Sequence, residues 1–326
     1  MTEKLLIAVV GATGSQGGGL VQAILADPEQ RFAVRALTRN AQSEKSRALA
    51  AAGAEVVEAD LDDEASLRAA FDGAHGAYVV TNYWVPLTPE EEAARSRAEM
   101  ELEQVDNAAR AAKEAGVAHV IWSTLEDTRD HFGETDRVPS LDDGRYKVPH
   151  FDAKGEADEL FTKYGVPTTF LRTTFYFEAL LQGMGPVRAE DGKLVLTFPM
   201  ADQPLAGIAA EDIGKAALGI FKRGDEFIGR TVSIAGDHLT GTQYADVLST
   251  TLGEPVTYRP YTWDEFRNLG FPMAVEFANM FQFYAEDSER FTGDRDLNLV
   301  RELNPQAQNL EAWLKLHANK VKATIN

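Results

Sequence analysis

Short apolar runs alternate with longer and more polar stretches through the first half of the chain. The runs that predict strands are Leu5–Val10, Ala33–Thr38, Glu55–Ala59, Ala77–Thr81, His119–Ser123 and Thr168–Arg172. Buried parallel strands are typically continuous runs of Val, Ile and Ala, and their alternation with helices implies right-handed crossovers. The pattern therefore predicts an α/β fold with a doubly wound parallel sheet that helices cover on both faces.

Spacing and end signals predict helices between these strands. A short helix is expected over Ser66–Phe71, and a long charged helix over Pro89–Ala115 with Gly116 as its carboxyl-terminal cap. The segment Glu126–Pro149 is acidic and interrupted by prolines and glycines. It is expected to form a long loop near the functional site.

The alternation fades after Arg172, where aromatic segments begin at Phe175–Phe177 and recur at Met280–Tyr284. Because Thr231–Ala235 still has the pattern of a core strand, we expect a smaller α+β domain that is interleaved with the first. The predicted division is 1–173 with a return segment of about 206–240, against 174–205 and 241–326. The later aromatics are compatible with a domain core, a hydrophobic substrate pocket or a dimer interface.

Composition narrows the function classes. The 326 residues contain no run of apolar residues long enough to span a membrane, and Met1–Lys4 lead directly into a strand rather than a signal peptide. There is no cysteine, and the six histidines have no metal-ligand spacing. We therefore predict a cytoplasmic protein without a metal site.

The formal net charge is −19. The negative electrostatic potential from this charge repels the phosphate backbone of nucleic acids, so direct binding of nucleic acid is not expected. The same charge is compatible with a basic protein partner, with high solubility and with a salt-adapted host.

A glycine-rich turn follows the first predicted strand and precedes an apolar-periodic helix. Gly11 permits a tight turn, Gly14 lets the backbone approach a pyrophosphate, and Gly17 lets helix and strand pack closely. The helix amino terminus offers free N–H groups to phosphate. Side-chain donors could come from Thr13, Ser15 and Gln16. The turn therefore indicates a dinucleotide site, against the alternative that the glycines only shape the chain.

Arg39 ends the second strand, where NAD-binding proteins usually have an acidic residue for the ribose hydroxyls. A guanidinium there suits the 2′-phosphate of NADP(H), and Lys45 could add a second charge. The alternative is a simple surface arginine. Further cofactor contacts are predicted at Asp60 with Leu61 after the third strand, and at Thr81, Asn82 and Tyr83 after the fourth.

The expected position of the chemistry is the helix that begins near Pro149. Short-chain dehydrogenases place a tyrosine and a lysine four residues apart on one helix face, and here His150 stands at the tyrosine position before Lys154. Lys154 can hold the cofactor ribose. His150 could donate a proton, although a neighbouring ammonium and burial favour its neutral ring, and it could equally be a polar residue without catalytic duty.

Other hydroxyls lie near this position in the sequence. Tyr146 precedes the helix and reaches the site only if its loop folds over it. Ser123 and Thr124, at the end of the fifth strand, take the place of the usual active-site hydroxyl.

Together these motifs resemble the NmrA-like family over nearly the whole chain. They are the segments 11–17, 37–40, 81–84, 148–156 and 278–281. The resemblance implies an atypical short-chain dehydrogenase fold that binds NADP(H), with Arg39 at the 2′-phosphate and Lys154 at the ribose. It also implies that members regulate other proteins according to cofactor state.

Two functions remain open at this stage. The leading hypothesis is a redox sensor in which cofactor orders the loop Glu126–Pro149 and the aromatic carboxyl-terminal segment, changing a surface that a regulatory protein partner reads. The alternative is an NADPH-dependent reductase of a quinone, enone or other small hydrophobic carbonyl compound. Either function is compatible with a monomer or a homodimer.

Overall fold

The computed structural model describes residues 4–134 and 136–325. In chain order the strands are β1 Leu5–Val9, β2 Phe32–Thr38, β3 Glu55–Glu58, β4 Gly76–Val79, β5 His119–Thr124, β6 Thr168–Arg172, β7 Phe175–Tyr176, β8 Val187–Arg188, β9 Leu194–Leu196, β10 Pro204–Ile208, β11 Thr231–Ser233, β12 Asp237–Thr240 and β13 Val256–Tyr258. The α-helices are α1 Ser15–Ala26, α2 Glu44–Ala51, α3 Glu64–Phe71, α4 Pro89–Ala94, α5 Arg97–Glu114, α6 Arg129–Phe132, α7 Pro149–Lys163, α8 Ala210–Arg223, α9 Gly241–Leu252, α10 Trp263–Arg267, α11 Ala274–Glu286, α12 Ser288–Gly293, α13 Leu297–Leu303 and α14 Leu310–Thr324. Two 3₁₀ helices span Phe177–Leu181 and Gly224–Phe227.

A parallel sheet of seven strands lies at the centre, in the order β11-β6-β5-β4-β1-β2-β3. In β1, Ile7 pairs with Val34 of β2 on one side and with Gly76 of β4 on the other. The predicted strands are confirmed within two residues of their bounds, as is the doubly wound fold. Because the chain turns outward in one direction from β1 and returns on the other side at β4, the loops after these strands diverge and leave a crevice at their carboxyl ends.

Helices cover both faces of this sheet. On one face, Val9 of β1 lies in a layer with Val21 of α1 and Ile213 of α8. On the other face, helices α3, α5 and α7 cover the sheet, and Val105 and Phe161 lie in that layer. Because helices cover both faces of the sheet, the central strands have apolar side chains on both faces.

The helices α1 and α8 meet at two glycines. A Cβ atom on Gly19 would lie 2.4 Å from the Glu211 carbonyl oxygen, and one on Gly214 would lie 2.1 Å from the Leu20 backbone nitrogen. Both distances are far below van der Waals contact. The two helices therefore touch through their backbones at this crossing.

The prediction of one helix over Pro89–Ala115 is wrong. The chain forms α4 and α5, with a break at Arg95 and Ser96. The Ser96 side chain accepts a hydrogen bond from the Glu99 backbone nitrogen, and the Glu99 carboxylate accepts one from Ser96. This reciprocal cap starts a new helix and outweighs continuity of the old one. The predicted end is confirmed, since Gly116 has a φ of +67° just after α5.

The second half of the chain contributes two small sheets, ordered β12-β10-β7 and β13-β9-β8. Helices α9 to α12 and α14 enclose a third core that contains Phe175, Phe198, Phe281 and Trp313. The aromatics of Met280–Tyr284 are buried in this core, so the core alternative accounts for that segment. No helix in the described part of the chain is long and apolar enough to cross a bilayer.

Candidate functional site

The glycine turn joins β1 to α1 and leaves the helix amino terminus open. Gly11 has a φ of +66°, and the Gly14 backbone nitrogen donates to its carbonyl oxygen at 2.9 Å. A Cβ atom on Gly17 would lie 2.5 Å from that same oxygen, so the third glycine is required by close packing. No described side chain caps α1, and its first turn has no acidic residue. Its positive end is therefore available to an anion.

A groove of about 850 Å³ runs from this turn along the carboxyl ends of β2, β3 and β4. Most of the cofactor residues predicted from the sequence line it. They are Gly11, Thr13, Gly14, Ser15, Gln16, Gly17, Arg39, Lys45, Asp60, Leu61, Thr81 and Asn82. Tyr83 does not line the groove; its ring lies in a neighbouring cleft, described below.

Two cations stand at the β2 end of the groove. Arg39 is exposed, and its guanidinium has no hydrogen-bond or ion-pair partner among residues 4–134 and 136–325. The Lys45 ammonium donates to the Thr13 carbonyl oxygen at 3.4 Å, which ties it to the glycine turn. A free guanidinium beside an ammonium suits a phosphate monoester.

Gln16 is held by three hydroxyl groups beneath the groove. Its Oε1 atom accepts hydrogen bonds from the Tyr78 hydroxyl at 2.5 Å and from the Ser123 hydroxyl at 2.7 Å. Its Nε2 atom donates to the Tyr176 hydroxyl at 2.5 Å. Burial raises the pKa of both tyrosines, so both hydroxyls stay protonated. The network links α1, β4, β5 and β7 below the centre of the groove.

Lys154 is paired with a buried carboxylate that the sequence reasoning missed. Its Nζ atom lies 2.6 Å from Glu101 Oε1 and 2.5 Å from the Thr81 hydroxyl, and it sits over the Trp122 ring. The Glu101 side chain is fully buried and that of Lys154 is 11% exposed. Because Thr81 lines the groove, the ammonium is one hydroxyl away from it.

His150 also has a carboxylate partner, contributed by α11. Its Nδ1 atom lies 2.6 Å from Glu276 Oε1, and its backbone nitrogen donates to the same oxygen at 2.9 Å. Its other ring nitrogen, Nε2, has no hydrogen-bond partner in the described chain and is not sealed from solvent. The ring is surrounded by aromatic side chains of Tyr83, Trp84 and Phe277.

The remaining predicted hydroxyls are engaged elsewhere. The Tyr146 hydroxyl donates to Glu156 at 3.2 Å, and the ring lies below the Arg129 guanidinium, away from the groove. Burial and the nearby Glu156 charge raise the pKa of Tyr146 to about 12. Thr124 donates to Asp158 at 2.6 Å, and burial raises the pKa of that carboxyl to about 7. The structure thus does not bring Tyr146 to the other candidates.

A sequence model of the NmrA-like family matches residues 3–318. The chain belongs to the NmrA-like family. Among its relatives, the NmrA-like family domain-containing oxidoreductase cpsB of Aspergillus campestris is 28% identical over an alignment that covers 98% of this chain and 91% of that protein. The resemblance inferred from the motifs is thereby confirmed.

Two solved structures have the same fold as this NmrA-like protein. NmrA, a negative transcriptional regulator, in complex with NADP gives a TM-score of 0.73 at 23% identity, covering 98% of both chains. The NADPH-dependent quinone oxidoreductase QOR2 of Escherichia coli, complexed with NADPH, gives a TM-score of 0.71 at 24% identity and covers 96% of this chain and 100% of that one.

Sequence reasoning about this NmrA-like chain missed residues that come from distant segments. Tyr176 and Gln182 line the groove from beyond the first six strands. One signal was present for Glu101, which occupies a core-facing position of α5 between Ala98 and Val105. A carboxylate in that position requires a buried partner, but the sequence does not name it.

Proposed function

We propose that this protein binds NADP(H) in the groove between the glycine turn and the ends of β2, β3 and β4. Two features of the described residues carry the proposal. The first is an α1 amino terminus that none of their side chains caps, and the second is the Arg39 guanidinium, unpaired among them, with Lys45 at one end of the groove. The first suits the pyrophosphate and the second a 2′-phosphate. The relatives crystallised with NADP and NADPH support the same assignment.

Calorimetric titration with NADPH, NADP⁺, NADH and NAD⁺ tests this assignment. We expect the phosphorylated forms to bind more tightly, and Arg39→Ala to weaken NADPH binding about 10- to 100-fold, as for loss of a charge-assisted hydrogen bond. NADH affinity should hardly change. Arg47→Ala is the control, because Arg47 is an exposed arginine of α2 that does not line the groove. Equal loss in both variants would contradict the proposal.

We infer that the bound cofactor serves as the reductant for a small conjugated carbonyl compound. When bound, a reduced nicotinamide supplies a hydride, and this chain would supply the proton. The supporting observation is His150, whose Nε2 has no hydrogen-bond partner among the described residues while Glu276 holds its Nδ1. The names of the relatives, an oxidoreductase and a quinone oxidoreductase, favour the same class of reaction.

The assay for this role is consumption of NADPH with a panel of quinones and enones. Turnover by the wild-type protein is the expected result. Tyr146→Phe is a suitable control variant, because the Tyr146 hydroxyl contacts Glu156 and not the groove. Tight NADPH binding without turnover of any compound would contradict the reductase and leave the sensor.

One observation favours the redox sensor as a second candidate. The Asn279 side-chain nitrogen donates to the carbonyl oxygens of Pro139 at 3.0 Å and Lys147 at 2.8 Å. The loop before α7 and the aromatic helix α11 are therefore in direct contact, as a coupled surface requires. Hydrogen exchange with and without NADPH tests it, and identical protection of both segments would remove its support.

A further inference from the structure

The Glu276–His150 pair adjoins a second cleft that the cofactor groove does not include. This cleft, of about 760 Å³, is lined by Tyr83, Pro149, Phe271, Met273 and Glu276 among others. The segment 81–85 borders both cavities, because Thr81, Asn82 and Val85 line the groove whereas Tyr83 lines the cleft. A compound in the cleft would thus lie beside the end of the groove that Lys154 marks.

Next to Tyr83 of this cleft lies a group of aromatic rings, here called the aromatic wall, which consists of Tyr83, Trp84 and Phe277 around His150. The His150 ring centre is 4.9 Å from that of Trp84 and 5.9 Å from that of Tyr83, and Trp84 is 5.4 Å from Phe277. Trp84 packs against these rings and is still 38% exposed. The exposed part of the indole offers a contact surface to a flat molecule, next to the His150 imidazole.

Glu276 fixes the state of that imidazole. A carboxylate oxygen 2.6 Å from Nδ1 requires a hydrogen on Nδ1, which leaves Nε2 as the atom that exchanges protons. When Nε2 takes a proton from solvent, the ring becomes a cation in contact with the Glu276 carboxylate. Nε2 is then a donor, and the carboxylate keeps the ring in place while the proton leaves. Glu276 is a positioning residue in this arrangement.

We propose that His150 and Glu276 form the proton-donating site for a neutral 1,4-quinone stacked on Trp84. The proposal rests on the proposed function. Reduction of the quinone to its hydroquinone requires a hydride, supplied by the reduced nicotinamide, and one proton, supplied from His150 Nε2 and replaced from solvent. The cofactor leaves oxidised. A neutral, flat substrate follows from the apolar rings of the wall.

The first test needs no cofactor. Addition of 2-methyl-1,4-naphthoquinone to the protein is expected to quench tryptophan fluorescence, and Trp84→Ala is expected to weaken quinone binding about 10-fold, as for loss of one stacked ring. Trp263→Phe is the control, because the Trp263 indole donates to the Pro199 carbonyl oxygen beside the third core and not at the wall. Equal affinity in Trp84→Ala and wild type would overturn the assignment of the quinone to this wall.

The second test reads the imidazole directly. Proton NMR of the wild type is expected to show a downfield Nδ1–H signal, which Glu276→Ala removes and His131→Gln keeps. His131 is a matched control, since it forms a similar pair with Glu286 at 2.9 Å on the far end of α11. Loss of the signal in His131→Gln and its retention in Glu276→Ala would overturn the pairing.

The third test separates this site from the proposed function. His150→Gln is expected to lower kcat for the naphthoquinone about 100-fold and Glu276→Gln about 10-fold, within the usual range of general acid catalysis, while NADPH affinity stays unchanged. Equal kcat in His150→Gln and His131→Gln would overturn the proton-donor role alone. No turnover of any quinone or enone by a wild type that binds NADPH would overturn the proton-donor role together with the reductase. Failure to bind NADPH would instead overturn the proposed function.

Discussion

Replacing Lys154 with methionine tests the buried ion pair at the floor of the groove. Methionine keeps much of the apolar stem and removes the ammonium, so Glu101 loses the one cation that pairs with it among the described residues. The Glu101 side chain is fully buried, and its Oε2 atom already has no hydrogen-bond partner in the described chain. An uncompensated carboxylate in such a place costs about 3 to 5 kcal/mol of unfolding free energy. Because Lys154 is still 11% exposed, we expect the lower end, about 3 kcal/mol.

The assay is urea unfolding followed by circular dichroism at neutral pH. The double variant Lys154→Met/Glu101→Gln removes both charges, so it should recover about 2 kcal/mol relative to the single variant. Lys315→Met is the control, because the Lys315–Glu311 pair is 69% and 58% exposed. Lys315→Met should lower the unfolding free energy by no more than about 0.5 kcal/mol.

A loss of under about 1 kcal/mol in Lys154→Met, with simple additivity in the double variant, would refute this reasoning. Glu101 would then be neutral or hydrated without its partner. The result also matters for function. The activity of a Lys154 variant can be compared with that of the wild type only when the same fraction of each protein is folded. The double variant supplies that comparison.

Three further predictions concern the turn, a carboxyl and a cap. Gly17→Ala should abolish NADPH binding in calorimetry, because its Cβ would lie 2.5 Å from the Gly11 carbonyl oxygen, whereas Gly293→Ala has open space and should bind normally. Asp158→Asn should remove a pH dependence of stability. Burial raises the pKa of Asp158 from 3.8 to about 7, so the folded wild type holds a proton that the unfolded chain releases, and its stability should fall as pH rises from 4 to 7. Urea unfolding at pH 5 and pH 8 would show this slope in the wild type only; parallel slopes would contradict it. Ser96→Ala should lower the unfolding free energy by about 1 kcal/mol through loss of the α5 cap, and no change in thermal unfolding would argue against a separate helix.

The sheet could be predicted because its physical signal is local. A strand buried on both faces must be apolar along its length, and the runs at β1, β4 and β5 satisfied that requirement on their own. The edge strand β3, Glu55–Glu58, has only its two central valines to indicate it. The break between α4 and α5 was equally local. Thr88 and Ser96 each precede a glutamate by three residues, which is the sequence signature of a capping box, and this signature was overlooked in favour of continuous charge.

In the candidate site, too, the residues with a local sequence signal could be predicted and those brought in from distant segments could not. The glycine turn and Arg39 follow directly from the strands they end, and the structure places them together along the groove. Glu276 lies 126 residues from His150, and no spacing rule relates the two positions. The sequence argument therefore treated His150 as an imidazole beside an ammonium only. The partner carboxylates of both His150 and Lys154 come from packing of whole helices, which a single sequence does not encode in any periodic form.

The contact between Gly19 and Gly214 limits where this protein can move. Helices that touch through their backbones have no layer of side chains between them, so neither can slide by repacking rotamers. A displacement of the phosphate-binding end of α1 would therefore carry α8 with it as one rigid unit. Motion linked to the cofactor is instead expected in the segment 81–85, which borders the groove and belongs to neither helix.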